Sequence, residues 1–261
     1  MELGLVGKRA VVLGASSGLG AACARALLAE GADVIACGRR TALIDAWIAE
    51  HDPVDQARAA SLALDLRSRE AVGAAIKDIH ARGGADILVL NSGGPPTTTA
   101  LDAQPKDWPE QFQAMACSLF ELTQAMLPGM IGRQWGRIVI ISSSGVEQPI
   151  ARLALSNAIR ASIVGWAKTL SAEVAPHGIT VNVVLPGRIF TDRVRQIDGE
   201  TANRTGQTVD QVAAASHASI PMGRYGSSDE FASVVTFLAS ERASYMTGGK
   251  VRVDGGMIRA L

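Results

Sequence analysis

The sequence is short of the side chains that usually advertise chemistry. Its 261 residues include two tyrosines, four histidines and three cysteines, and aromatics make up 4%. Cys23, Cys37 and Cys117 are far apart and odd in number, which excludes a disulfide framework and zinc-binding spacing and points to a reducing compartment. The histidines are scattered too, so no metal-ligating cluster can be assembled. His177, in APHG, reads as a helix-end residue, and His217 as a surface or hinge residue. Net charge is absent as well: 25 basic residues balance 25 acidic ones, with no polybasic block. That argues against nucleic acid or an anionic membrane as partner and removes one deterrent to self-association. The opening MELGLVGKRAVVLGASSG lacks signal-peptide architecture, and no apolar run approaches the roughly 18 residues of a membrane span. The expectation is a soluble, cytoplasmic protein acting on a small molecule.

What is present is an alternation. Short Val/Ile/Leu runs at 9–15, 32–39, 61–66, 85–92, 136–143, 179–187 and 249–256 are separated by helical patterns near 18–29, 41–50, 68–81, 107–131, 153–175 and 228–239. Continuously apolar strands joined by helices long enough to cross over predict a parallel sheet covered on both faces. The fold class is therefore α/β: one Rossmann-type doubly wound domain over 1–261 with a seven-stranded parallel sheet. The polar stretch 190–222 is long for a plain connection and reads either as a lid, a small substrate-covering insertion, or as an irregular surface loop.

Directly after the first strand comes GASSGLG. Gly14 permits a tight turn, Gly18 lets the backbone approach a ligand closely, and Gly20 lets the helix pack on the strand, so that free N–H groups face a pyrophosphate. The spacing is G-x-x-x-G-x-G and not the commoner G-x-G-x-x-G. Ser16, Ser17 and Leu19 complete this loop. The second strand ends in ACGRR, with no acidic residue to meet a ribose diol. Gly38 leaves room, and Arg39 and Arg40 offer charge-assisted forks to a 2′-phosphate, so NADP(H) is favoured over NAD(H). Arg40 alternatively just covers an exposed strand end. Asp65 is placed to accept from an adenine amino group and Leu66 to wall the ring. Asn91, Ser92, Gly93 and Gly94 follow the fourth strand, where the backbone is expected to lie close to the cofactor ribose.

LGASSGLG, ILVLNSGG, GRIVIISSS, HGITVNVVLPG with the following IFTD, and the C-terminal PMGRYGSSDEFASVVTFLASERASYMTGGKVRVDGG together resemble the short-chain dehydrogenase/reductase family, especially its 3-oxoacyl-carrier-protein-reductase-like members. The likeness covers essentially the whole chain, although Leu13, Leu90 and Ser92 replace the family's usual residues. It implies that Pro186, Gly187, Ile189 and Thr191 border the nicotinamide and pyrophosphate. It also implies a homotetramer, or at least a homodimer.

The resemblance fails where chemistry is concentrated. The family's substrate-orienting serine corresponds to Ser143. Its proton-transferring tyrosine slot holds Ser156, its lysine slot Arg160, and its water-relay asparagine slot Met115. Tyr225 and Tyr245, the only tyrosines, lie far downstream. Arg160 can bind ribose hydroxyls and keep positive charge near the nicotinamide, but it stays protonated and cannot serve as acid or base. Ser156 lacks the acidity of a phenol, tunable from about 10. Glu147 and Arg188 are candidates for a relocated site, as acid or base and as anion binder respectively, with Arg152 behind them; Glu147 alternatively is a solvated loop carboxylate. Three readings remain: an NADP(H)-dependent oxidoreductase acting on a carbonyl or alcohol with an atypical tetrad, a cofactor-binding protein without redox turnover, and isomerase or lyase chemistry on the same fold.

Overall fold

A computed structural model describes residues 2–260. Seven parallel strands form one sheet: β1 (Arg9–Leu13), β2 (Asp33–Gly38), β3 (Ala59–Ala63), β4 (Ile87–Asn91), β5 (Gly136–Ile141), β6 (Ile179–Pro186) and β7 (Lys250–Val253). Their order is β3-β2-β1-β4-β5-β6-β7. The chain builds outward from β1 to one edge, then returns to build from β4 to the other. The junction of β1 and β4 is thus the switch point of a doubly wound sheet, and a crevice opens there at the carboxyl ends of the strands.

The helices are α1 (Gly18–Ala29), α2 (Thr41–Ala49), α3 (Pro53–Ala57), α4 (Arg69–Ala81), α5 (Trp108–Phe112), α6 (Ser118–Arg133), α7 (Ala154–Val174), α8 (Asp192–Thr205), α9 (Val209–Ser219) and α10 (Ser228–Leu238). All six residues of β5 are buried, because helices cover both sides of it. One core packs Val72, Ile79, Leu119, Leu122, Ile159 and Ile163 from α4, α6 and α7 against the sheet. The other packs Leu27, Ile44, Trp47, Phe231 and Val235 from α1, α2 and α10. Cys23 and Cys37 are buried among apolar side chains, which pushes both thiols up to about 12.

Three expectations shift. β3 begins two residues before the expected start of 61, because its register follows β2, from Val34 opposite Ala59 to Gly38 opposite Ala63. Beyond Gly38 it has no partner, so residues 64–66 leave the sheet and enter the crevice. The polar stretch 190–222 is not irregular. Thr191 and Thr208 cap α8 and α9, with Gln211 closing a capping box and Gly206 ending α8 in a left-handed turn; caps, more than apolar patterning, make these helices. Finally, Pro105–Arg133 is, among the described residues, long and apolar enough to cross a membrane by composition. Here it is a core helix, with Leu119, Leu122, Met126 and Met130 buried. Within it, Gln113–Cys117 forms a turn of π-helix between α5 and α6.

Candidate active site

The crevice is a cleft of about 1220 Å³, walled by the ends of β1, β2, β4, β5 and β6, by the start of α7 and by one face of α8. Its floor begins at the glycine turn. Gly14 has a φ of 66°, and a Cβ there would come within 2.6 Å of Asn91 Nδ2. Gly20 lies beneath the cleft; a Cβ on it would stand 2.8 Å from the Leu13 carbonyl oxygen. The two glycines let α1 start directly on the end of β1. No side chain caps α1, so its first N–H groups remain available to an anion, with Ser16, Ser17, Gly18 and Leu19 lining the approach.

Beyond the turn, Arg40 donates to Ser17 Oγ at 3.1 Å and Ser16 Oγ at 3.5 Å. Arg39 is exposed at the end of β2, and both arginines line the cleft. Asp65 lines it too, but it is not the free acceptor expected for an adenine amino group. Arg67 holds both its oxygens, at 3.1 and 2.7 Å, and these hydrogen bonds, helped by Arg39, lower its carboxyl to about 2. Leu66 walls the cleft, while its carbonyl accepts from Ser118 Oγ at 2.7 Å. Asn91, Ser92 and Gly93 lie under the centre, and Pro186, Gly187, Ile189 and Thr191 border the far wall. Gly187 has its position because a Cβ there would meet Asp254 Cα at 2.6 Å. A tight glycine turn and an uncapped helix start fit the diphosphate of a dinucleotide, with two arginines beyond it.

The remaining wall is formed by β5 and α7. Ser143, extended at the end of β5, accepts from the Gly145 N–H at 3.1 Å. Asn157 ties this loop down, donating from Nδ2 to the Ile150 carbonyl at 2.9 Å. One helical turn apart on α7, Ser156 and Arg160 share a face. Arg160 reaches across the cleft floor: Nε donates to Ser156 Oγ at 3.3 Å, Nη1 to the Ile141 carbonyl at 3.1 Å and Nη2 to the Ser92 carbonyl at 3.4 Å. It is only 8% exposed. Burial, with Arg193 nearby adding repulsion, lowers its pKa to about 10, so it is a cation at neutral pH. Met115, buried in the π-turn, lines the same region, and no tyrosine does among the described residues.

Two candidates are corrected. Glu147 does not face the cleft: its carboxylate, 9% exposed, takes Lys250 at 2.7 Å and also binds Arg252, and these two cations hold it below the ordinary carboxylate range. Opposite charges on β7 draw it away from the substrate side. Arg188 does line the cleft, but Nη1 donates to Asp198 of α8 at 3.0 Å, and Tyr225 also donates to that buried carboxylate, at 2.8 Å. Arg188 ties the covering helix to the end of β6, so it is not free to bind an anion.

The sequence reading missed Arg193, Glu200, Thr201 and Arg204, which line the cleft from α8. Their signal was spacing: 193, 197, 200, 201 and 204 fall on one helical face. It also missed Asn157 and Ser142, although Ser142 lies within GRIVIISSS and Asn157 directly follows Ser156.

Residues 14–258 match the family model described as enoyl-(acyl carrier protein) reductase. The chain is 35% identical to the 3-oxoacyl-[acyl-carrier-protein] reductase FabG of Vibrio cholerae over 256 residues, 98% of this chain and 99% of that one. It is also 35% identical to FabG of Aquifex aeolicus, over 98% of this chain and all of that one. Among solved structures, L-sorbose reductase from Gluconobacter frateurii, complexed with NADPH and L-sorbose, superposes over the whole of both chains with a TM-score of 0.93 at 30% identity. YwfH, an NADPH-dependent reductase involved in bacilysin biosynthesis, superposes over 98% of this chain and all of that one with a TM-score of 0.91 at 27% identity.

Proposed function

From a chain that belongs to the short-chain dehydrogenase/reductase family, we propose an NADP(H)-dependent oxidoreductase that interconverts a carbonyl and an alcohol without the usual tyrosine and lysine. The observation that carries this reading is the buried Arg160, a cation at the cleft floor joined to Ser156, in a cleft that Ser143 also lines. When bound, NADP(H) supplies or accepts the hydride.

The protein's own work is then positional. The start of α1 receives the diphosphate, and Arg39 and Arg40 receive the 2′-phosphate. Ser143 donates a hydrogen bond to the substrate oxygen. Arg160 holds the ribose hydroxyls and stabilises negative charge as it develops on that oxygen. Reduction places the hydride on carbon and one proton on oxygen. Since neither serine nor arginine is an acid at neutral pH, that proton comes from water, passed along the Ser143 and Ser156 hydroxyls. Losing a dedicated general acid costs about 10²–10⁴-fold in rate, which slows turnover and does not forbid it.

The test is transfer of deuterium from NADPH labelled at C4 to a panel of aldehydes, ketones and 3-oxoacyl thioesters. Label in the alcohol is the expected outcome. Tight NADPH binding with no transfer across the panel would replace this reading with a cofactor-binding protein, the alternative favoured by the lack of tyrosine in the cleft. Conversion of substrate without net NADPH oxidation would indicate isomerase or lyase chemistry. By the same family likeness we propose a soluble homotetramer or homodimer, to be read from light scattering of the full chain.

A further inference from the structure

The charges facing the cleft do not balance. Near the glycine turn Asp65 is held by Arg67, on which Glu110 also acts, and the two remaining arginines, Arg39 and Arg40, are those assigned to the cofactor's 2′-phosphate. At the other end, Arg188 is taken by Asp198, and Asp192 pairs with Arg195 at 3.3 Å. Four arginines that line this end, Arg152, Arg160, Arg193 and Arg204, have no carboxylate partner among the described residues. Arg193 donates only to the neutral Gln196, at 3.1 Å. Against these four stands Glu200, which accepts from Gln196 at 2.8 Å.

Three features show that this surplus is built into the fold. Arg160 is buried with no counter-ion, an arrangement that is costly unless something negative arrives. Ser92 and Ser142, both more than nine-tenths buried and lining the cleft, have hydroxyls with no hydrogen-bond partner. They border the Ser92 and Ile141 carbonyls that Arg160 binds, and their oxygens are covered, so they add to the cost of the floor without facing a ligand. Arg152 has a φ of 63°, a left-handed backbone unusual for a non-glycine residue, and Thr98 fixes it there by donating to its carbonyl at 2.9 Å.

We infer that the substrate carries an anionic group, a carboxylate or a phosphate, which seats between Arg152 on the loop before α7 and the arginine-bearing face of α8. This rests on the reductase reading only for the place of the reacting carbonyl, beside Ser143 and Ser156. The cofactor's own phosphates do not account for the surplus. They are met at the start of α1 and the end of β2, and Arg193 lies on the cofactor side, 3.7 Å from where a Cβ on Gly94 would stand, whereas Arg204, about 16 Å farther along α8, is left for the substrate's anion together with Arg152.

The test is equilibrium binding to the full chain loaded with NADP⁺, using matched pairs: phenylpyruvate and its methyl ester, acetoacetate and methyl acetoacetate, dihydroxyacetone phosphate and dihydroxyacetone. At least one anion should bind roughly 10- to 100-fold more tightly than its neutral partner. Which pair shows the preference distinguishes carboxylate from phosphate. R204E and R152A should each reduce that preference to within about threefold while the Kd for NADPH holds, the measure that they still fold. Equal binding within every pair, or a preference that survives both substitutions, overturns the inference. Preferential anion binding with no hydride transfer would sustain it and remove the reductase reading. Equal reduction of acid and ester would do the reverse.

Discussion

Replacing Arg160 with methionine separates a functional cation from a structural strut. The guanidinium makes three hydrogen bonds, at 3.1, 3.3 and 3.4 Å, towards the long end of the normal range. Losing three such bonds to a charged group costs about 4–5 kcal/mol in all, the low end of the range because they are long. Opposing this, the side chain is 8% exposed without a carboxylate, and burying an uncompensated charge carries an effective penalty of several kcal/mol. Methionine fills similar volume and needs no hydration. The two terms nearly cancel, so the cofactor-free R160M protein should unfold in urea within about 1 kcal/mol of the parent. Its affinity for NADPH by calorimetry should fall about 10- to 100-fold, the worth of one or two charge-assisted hydrogen bonds. R160K should recover most of that affinity. If R160M instead lost more than about 3 kcal/mol of stability and bound NADPH as before, Arg160 would be a brace between α7 and the sheet, and the argument would fail.

Substituting Arg39 and Arg40 together with alanine should weaken NADPH binding by about 10- to 100-fold and leave NADH within about threefold, measured by fluorescence titration; parallel losses for both would refute 2′-phosphate recognition. Glu147→Gln should destabilise the fold by about 1–3 kcal/mol, because Lys250 and Arg252 lose their shared carboxylate, and should leave kcat within about twofold; a larger kcat loss at unchanged stability would return Glu147 to the chemistry. Asp65, held by Arg67, and Glu230 of α10, held by Arg224 and the Ser227 N–H, are both lowered to about 2 in the fold from their ordinary 3.8 and 4.5. Their contribution is therefore complete above about pH 5 and disappears as pH falls towards 2. Thermal unfolding should show that loss on the acid side, and substituting Asp65 and Glu230 with their amides should flatten it.

The fold was legible because its signals are redundant. Apolar strands, crossover helices and GASSGLG each point to a switch-point cleft, and pairing with β2 set the start of β3. The cofactor half of the site was legible for a related reason: backbone geometry demands glycine at Gly14 and Gly20, and geometry leaves a trace in sequence. The reacting half was harder. Glu147 and Arg188 occupy suggestive positions along the chain, but each is claimed by an opposite charge distant in sequence, Lys250 and Arg252 for one and Asp198 for the other. No local pattern reports such a partner. The helices of 190–222 were obscured because caps at Thr191 and Thr208 hold them, and their exposed faces carry little apolar periodicity.

The π-turn at Gln113–Cys117 carries the buried Met115 at its centre. Its extra residue sets the phase of everything that follows. Successive residues of an α-helix are rotated by about 100°, so ironing the turn into regular helix would swing α6 by that angle. Leu119, Leu122, Met126 and Met130 would then rotate off the sheet, and polar neighbours would rotate onto it. The irregularity thus works as a mechanical key cut for the core. Substituting a side chain within it leaves that phase intact, whereas deleting one residue from the stretch would turn α6 out of register with the sheet.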